Sequence, residues 1–548
     1  MKINLIIIFL IIFSRFFAFN LSPSSPYWEE VALGYDAYSI AETAKDHHGN
    51  FLPLTAFESF GDYKPSLYFY TAVPFIKIFG LNTFAVRLPT VLASIAIIFG
   101  TALLAKNLFV KFYVKNDQKN ANSIYYLTLF LTSISPWLMM FSRSAWESTL
   151  ATALIIWGIN FYLFFIFSNK TKWIFWASIT LVLSTYAYHS ARVTAPLIGL
   201  FLTIFYLILK LLKKEKLNWR ALLMALLIAL LLFAPVGKSL FLKTGQQRIA
   251  ETSIFNGISI IEQSNEAIEN HGRNKLNKII YHRYLFFAKE AGLNFLDHFN
   301  FKYLFISGDN NPRHSSQVFG EFYYFDLLFF VFALFFLLKR KSIATAILCF
   351  ILFVAILPAS FTKDTPHALR TLTALPILII FLSFGIWQFL ELFKNNQTKT
   401  FITKIIILIY LVFFALFFYQ LIYIYPNKYK PEWQFGYQEM IGKLNKIENN
   451  YETIYITRER GRPAMYYFFY TKIDPLLVQN ANQLAKKDQG EFLEFQKIKF
   501  IDKPEQIDFN KQALIISSPN FYQNSFSKDS VPLIDKTDGA TWVFYEIN

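Results

Sequence analysis

The sequence predicts a mostly α-helical, polytopic membrane protein that ends in a small α/β domain. Three observations predict it. First, 54% of the 548 residues are hydrophobic, with 63 Phe, and the mean hydropathy is +0.34. One aqueous core cannot bury that much apolar surface. Second, apolar runs of the length that crosses a bilayer, about 17–25 residues, recur along the chain. They lie near 4–19, 88–107, 124–141, 147–168, 172–188, 193–212, 219–235, 322–338, 342–358, 370–393 and 401–425, which predicts about 11 transmembrane helices. Third, the pattern changes after Tyr425. "YETIYITRER", "ALIISSP" and "TWVFYEIN" read as β-strands, separated by polar helical or loop stretches such as "ANQLAKKDQGEFLEFQKIK".

The first run, "NLIIIFLIIFSRFFAF", has Lys2 ahead of it like a signal peptide. Phe17-Ala18-Phe19 lacks the small residues that flank a cleavage site, so an uncleaved first span is expected. The run at 66–80, "SLYFYTAVPFIKIFG", is short and is interrupted by Pro74 and Lys77. Loop charge decides its place. With a cytoplasmic N-terminus and 66–80 lying flat at the interface, the Lys-rich loops "AKNLFVKFYVKNDQK", "NKTK", "KLLKKEKLNWR", "KRK" and "KNNQTK" all fall inside. Counting 66–80 as a span puts them all outside. Two large outer loops follow, 20–87 and 236–321. The predicted organisation is a transmembrane domain over 1–425 and an extracytoplasmic α/β domain over 426–548.

The net charge is +16. Orientation by cytoplasmic lysines and contact with anionic membrane lipids account for it, and nucleic acid is not expected as a partner. The single cysteine, Cys349, lies in an apolar run and excludes an intrachain disulfide.

Candidate chemistry begins after Pro26. Leu33, Ala37, Ile40, Ala41 and Ala44 share one helical face, and Asp36, Ser39, Thr43 and Asp46 the other. This predicts an amphipathic helix lying in the interface, with Glu29 and Glu30 in its first turn. Acids there complement the helix dipole. A carboxylate held at the membrane surface also serves as a general base or metal ligand. A second acid, Glu147, sits with Arg143 in the short outer turn "SPWLMMFSRSAWES". Charges so close to lipid are costly unless paired or used, and an i,i+4 ion pair is the local alternative. Basic groups also gather on the outer side: Arg15, Lys64, Arg87, His189 and Arg192, then Arg313 with His314 in "GDNNPRHS", and Lys363, His367 and Arg370 in "FTKDTPHALRTL". Singly they read as interface anchors. Together they suggest an anionic ligand, and a phosphate at the membrane surface fits. Side chains of adjacent helical positions diverge by about 100°, so His47-His48 reads as a solvated loop dyad rather than a chelate.

The acidic pair after the first span, the helix that carries it, and "KPSLYFYTAVPFIKIFGLNTFAVRLPTVL" together resemble the GT-C glycosyltransferases. The resembled group is glycosyltransferase family 39, which includes protein O-mannosyltransferases and lipid A aminoarabinose transferases. That family's pattern runs Asp-Glu, later Lys-Pro-Pro-Leu, then Phe-Gly and Arg-Leu-Pro. The resemblance covers about residues 1–240 and does not extend to the tail. It implies a GT-C type helical bundle and an enzyme that uses a polyprenyl-phosphate sugar as donor, with inversion at the anomeric carbon. Glu29 takes the place of the family's catalytic aspartate and Glu30 that of the following glutamate. Glu147 matches the second outer-loop acid, and Lys64 the lysine associated with the lipid phosphate. Two departures stand out: the first acid is Glu rather than Asp, and Pro-Pro has become Pro65-Ser66. The acceptor is a protein, lipid or glycan hydroxyl. No cofactor and no metal ligands are assigned, although a divalent metal is compatible with the residues. The alternative function is a transporter or flippase of lipid-linked glycans. Such proteins show repeated halves and mid-span polar residues, whereas here the charges gather at the outer ends of spans.

Overall fold

The computed structural model describes residues 2–113, 117–241, 251–339, 342–482, 487–488, 490–519, 531–532 and 542–547. Parts of the predicted loops (114–116, 242–250, 340–341), of the polar tail stretch (483–486, 489) and of the last strand (Thr541, Asn548) lie outside the described residues. The chain is mostly helical, with a small sheet region near its C-terminus. In order, the first helices are α1 (Lys2–Phe16), α2 (Trp28–Thr43), α3 (Leu67–Phe79), α4 (Thr83–Phe112), α5 (Gln118–Ile134), α6 (Pro136–Met140), α7 (Glu147–Ser168), α8 (Thr171–Ala187), α9 (Ala191–Leu212) and α10 (Trp219–Leu240). Later ones are named by their residues.

Each of the eleven predicted runs contains a helix. Among the described residues, 7 helices are long and apolar enough to cross a membrane. The runs at 4–19, 124–141, 172–188 and 322–338 give shorter helices of 15, 17, 17 and 14 residues. The run at 124–141 is not continuous: α5 stops at Ile134, and Ser135 caps the separate turn of α6, with Pro136 at its start. Proline favours that first position because its missing N–H has no helical partner there anyway. At 13 residues, α3 extends about 20 Å, less than the roughly 30 Å of a hydrocarbon core.

By its contacts the chain divides into two compact units, Met1–Phe17 with Thr90–Leu421, and Ala18–Pro89 with Ile422–Asn548. The first unit is a helical bundle. Of the seven candidate spans, Leu372–Glu391 is the most enclosed, 94% buried in its most apolar window, against 28% for Ala191–Leu212 and 17% for Trp219–Leu240. The enclosed helix packs on Asp326–Lys339. The approach is so close at Gly385 that a Cβ there would lie 1.9 Å from the Phe329 carbonyl oxygen.

The second unit joins the first predicted outer loop to the C-terminal segment. Its strands are β1 (Ala56–Ser59), β2 (Asp62–Pro65), β3 (Thr453–Thr457), β4 (Lys487–Asp488), β5 (Glu491–Phe492), β6 (Glu494–Phe495), β7 (Ile498–Ile501), β8 (Ala513–Ser517), β9 (Val531–Pro532) and β10 (Val543–Ile547). Six form one sheet in the order β6-β7-β3-β8-β10-β9. Here β3 is parallel to both β7 and β8, with Ile456 opposite Phe500 on one side and Ile516 on the other. The three predicted tail strands are present as β3, β8 and β10. The stretch read as polar helix or loop instead contributes β4 to β7, because Phe492, Phe495, Ile498 and Phe500 turn into the core.

α2 is not a one-sided interfacial helix. Its polar face is buried as well, with Asp36 and Ser39 at 0% exposure. The helix Pro463–Thr471 packs along α2, and Gly34 lets it close in: a Cβ there would meet Phe469 at 2.8 Å and Val86 at 2.6 Å. Gln479 satisfies the buried hydroxyls, donating to Ser39 (3.0 Å) and Thr43 (2.8 Å) and also to the Asp46 carbonyl (3.1 Å). His47 is also buried, not solvated, with Nδ1 2.6 Å from Asp36 Oδ1. Burial pushes the Asp36 carboxyl up and the His47 imidazole down, so both shifts favour their neutral forms.

Candidate active site

The acidic pair resolves into two different environments within the second unit. Tyr27 precedes α2 and Glu29 and Glu30 occupy its first turn. Glu30 turns inward. Its carboxylate receives Arg87 through two parallel bonds, Nε to Oε1 at 2.8 Å and Nη2 to Oε2 at 2.9 Å, and accepts the Tyr27 backbone N–H at 3.3 Å. Both side chains are sealed, at 0% and 1% exposure. Arg87, one of the predicted outer-side cations, has its anion in Glu30. The same guanidinium donates to the Ser25 carbonyl at 3.2 Å, which fixes the approach to α2.

Glu29 turns outward and keeps 34% of its side chain exposed. The Tyr27 hydroxyl donates to Oε2 at 2.7 Å and Lys64 Nζ to Oε1 at 2.8 Å. Lys64 is delivered by the β1–β2 hairpin, where it faces Phe57. The two turn residues, Phe60 and Gly61, both have positive φ (54° and 74°), as a tight two-residue hairpin turn requires. Asp62 on the same strand lies 3.4 Å from Lys64 Nζ. Glu29, Lys64, Tyr27 and Asp62 thus form a part-exposed polar cluster in which a carboxylate and an ammonium group are held side by side.

The remaining candidates lie in the first unit. Arg15, near the end of α1, is fully buried and donates to the Ser133 carbonyl at 3.0 Å and to the Ser14 hydroxyl at 2.9 Å. Arg143 is also buried and donates to the carbonyls of Ser14 (3.2 Å) and Phe17 (2.9 Å). The two arginines therefore converge on the end of α1. Glu147 opens α7, next to Trp146. Arg370 donates to the Thr362 hydroxyl (2.7 Å) and the Lys363 carbonyl (2.6 Å), while the Lys363 side chain is exposed. Arg313 reaches Asn311 Oδ1 at 3.4 Å, and half-buried His189 accepts the Arg192 backbone N–H at its carbonyl.

His314 and His367, predicted separately, come together on Asp309, which the sequence reading passed over. His314 Nδ1 lies 3.1 Å and His367 Nδ1 3.6 Å from Asp309 Oδ2, and the imidazole centroids are 4.8 Å apart. Burial works against the Asp309 charge, but the hydrogen bond from His314 and the charges of both histidines outweigh it and hold the carboxyl at about 2. His367 is pushed well down by burial, and by His314 and Arg370 beside it. Asp309 lies in the quoted "GDNNPRHS", so its spacing to His314 was readable. Its partner 58 positions on was not. Tyr27 and Asp62 carried no sequence signal.

No protein-family model matches the sequence, and no curated protein matches it. Solved structures do. The chain is similar over 100% of its length to ArnT from Cupriavidus metallidurans bound to undecaprenyl phosphate, covering 98% of that chain at 10% identity and a TM-score of 0.54. The apo form of the same ArnT gives a TM-score of 0.51 at 10% identity over the same shares of both chains. AglB from Archaeoglobus fulgidus, an archaeal oligosaccharyltransferase in complex with an inhibitory peptide and a dolichol-phosphate, aligns over 93% of this chain and 69% of that chain, at 11% identity and a TM-score of 0.48. The fold defined by the ArnT likeness is that of the GT-C membrane glycosyltransferases, as the sequence motifs implied. At this identity the likeness defines the fold.

Proposed function

We propose that this chain is a multi-pass membrane glycosyltransferase that moves a sugar from a polyprenyl-phosphate-linked donor to an acceptor hydroxyl, with inversion at the anomeric carbon. The observation that carries the reading is the asymmetry of the acidic pair: Glu30 is sealed on Arg87, while Glu29 is offered to solvent beside Lys64. The GT-C fold, shared with an ArnT whose structure holds undecaprenyl phosphate, supplies the context.

In this reading Glu29 is the general base. It takes the acceptor proton as the acceptor oxygen bonds to the anomeric carbon, and the bond from that carbon to the phosphate oxygen breaks. The lipid phosphate departs with the electron pair. Lys64 stabilises the charge that builds on it, as a fixed cation does in a site with little water. Tyr27 orients the Glu29 carboxylate. Glu30 and Arg87 hold the first turn of α2 in place. Arg15 and Arg143 anchor the end of α1 through backbone carbonyls, and Glu147 remains the second-loop acid. A lipid-linked donor cannot leave the membrane surface, so the base must meet it at headgroup depth. In this reading the chain lies in the plasma membrane, with a cytoplasmic N-terminus and the 426–548 domain outside.

The test is transfer from a radiolabelled polyprenyl-phosphate hexose by purified protein to a cell-envelope extract. Labelled acceptor is expected from the wild type and not from Glu29→Gln. Movement of intact lipid-linked glycan across vesicles, without transfer, identifies a flippase instead.

A further inference from the structure

We infer that Asp309, His314 and His367 form a binding site for a divalent transition metal, zinc by donor chemistry. The inference does not depend on the transferase reading. The three donor atoms lie within 4.8 Å of one another. Two of the separations, 3.1 and 3.6 Å, bracket the spacing of about 3.3–3.4 Å expected between donors about 2.0–2.1 Å from one tetrahedral ion. The widest separation, up to 4.8 Å, must close by about 1.4 Å to reach that spacing, so His367 moves inward and the His314 Nδ1 proton passes to Nε2 as the ion binds.

The cluster is built as metal sites are, with the carboxylate fixed from behind. Asp309 Oδ1 accepts the Asn311 N–H at 2.8 Å, and Oδ2 accepts the Ala368 N–H at 2.8 Å. The His367 backbone N–H donates to His298 Nε2 at 3.2 Å, and His298 in turn is held by the Asn294 carbonyl at 2.7 Å. The His314 ring packs against Trp146 at 5.3 Å and Phe141 at 6.0 Å. Such outer contacts set ligand orientation.

The second, independent observation is His367 Nδ1. It is buried and has no hydrogen-bond partner, although it faces a carboxylate 3.6 Å away. A plain Asp–His hydrogen bond within the loop 309–314 needs only His314. It leaves unexplained a second imidazole whose ring nitrogen is buried, unbonded and turned to the same oxygen. A metal ion explains both rings. Two imidazoles and one carboxylate suit zinc, whereas magnesium and calcium favour all-oxygen sets. Three protein ligands leave one position open for water or a substrate oxygen.

The decisive measurement is metal content of the full-length protein in detergent, loaded with Zn²⁺ and desalted, read by mass spectrometry. About one equivalent is expected in wild type and less than about 0.2 in His367→Ala and Asp309→Asn. Co²⁺ loading of the wild type is expected to give the visible absorption of a tetrahedral nitrogen–oxygen site, a readout that stands even where a variant fails to fold. A wild type that retains no metal and shows no Co²⁺ bands overturns the inference. So does a folded His367→Ala that retains the wild-type amount, since the metal then sits elsewhere.

Discussion

Replacing Glu29 and Glu30 one at a time by Gln separates two kinds of loss. The substitution preserves side-chain shape and removes the charge. At Glu30 it leaves the Arg87 guanidinium, 1% exposed, without its counter-charge. Breaking one side of a buried pair costs about 3–5 kcal/mol. Gln still accepts one of the two bonds, so the low end, about 3 kcal/mol, is expected as lost stability. At Glu29 the lost ion pair is part-exposed, with 34% of the Glu29 side chain open to water. Pairs of that kind contribute about 0–1 kcal/mol to stability. What Glu29→Gln removes instead is the base, worth about 10²–10⁴ in rate, or roughly 3–5 kcal/mol of transition-state stabilisation. The two variants should therefore fail in opposite assays. Glu29→Gln folds and inserts but loses single-turnover transfer from a polyprenyl-phosphate sugar. Glu30→Gln shows a lowered thermal midpoint in detergent, with turnover per folded molecule largely kept. Glu29→Asp should retain measurable turnover, because it keeps the acid one methylene shorter. Full activity in Glu29→Gln refutes the base assignment. An unchanged midpoint in Glu30→Gln refutes the buried-pair argument, and loss of turnover without loss of stability there reverses the two roles.

Three further outcomes are expected. Lys64→Met should raise the KM for the lipid-phosphate donor by about 10- to 100-fold, the worth of one charge-assisted hydrogen bond, with the protein still folded; an unchanged donor dependence removes Lys64 from the phosphate site. Burial pushes the Glu491 carboxyl up from 4.5 to about 7, and Arg458 and Arg462 only partly offset it. A raised folded-state value means stability that is full below pH 4.5 and is lost as pH rises through 7, so the unfolding midpoint of Glu491→Gln should be flatter than wild type across that window, and parallel curves would sink the assignment. Reporters active only outside the cytoplasm should work after Asn548 and be silent after Asp117; the reverse pattern overturns the orientation read from the lysine-rich loops.

Much of the fold was legible because it is encoded locally. Run length and hydropathy specify where a helix can cross lipid, and β-branched alternation marked β3, β8 and β10, since each depends on how neighbouring side chains divide between water and an apolar surround. The same local signals placed Glu29 and Glu30 in the first turn of one helix, where adjacent positions must point in different directions. They could not say which of the two faces outward. That was decided by Arg87, 57 positions from Glu30, and by Lys64, 35 positions from Glu29. Local periodicity also misjudged the polar face of α2. Asp36 and Ser39 look solvent-facing until His47 closes on Asp36 and Gln479, 440 positions from Ser39, donates to its hydroxyl. Asp309 and His367 meet only because two loops far apart in sequence are brought together by the helices they join. Hydrophobic pattern fixes how much of a side chain is buried, but a charge's partner is set by the path of the backbone between the two, and that path exists only in the folded chain.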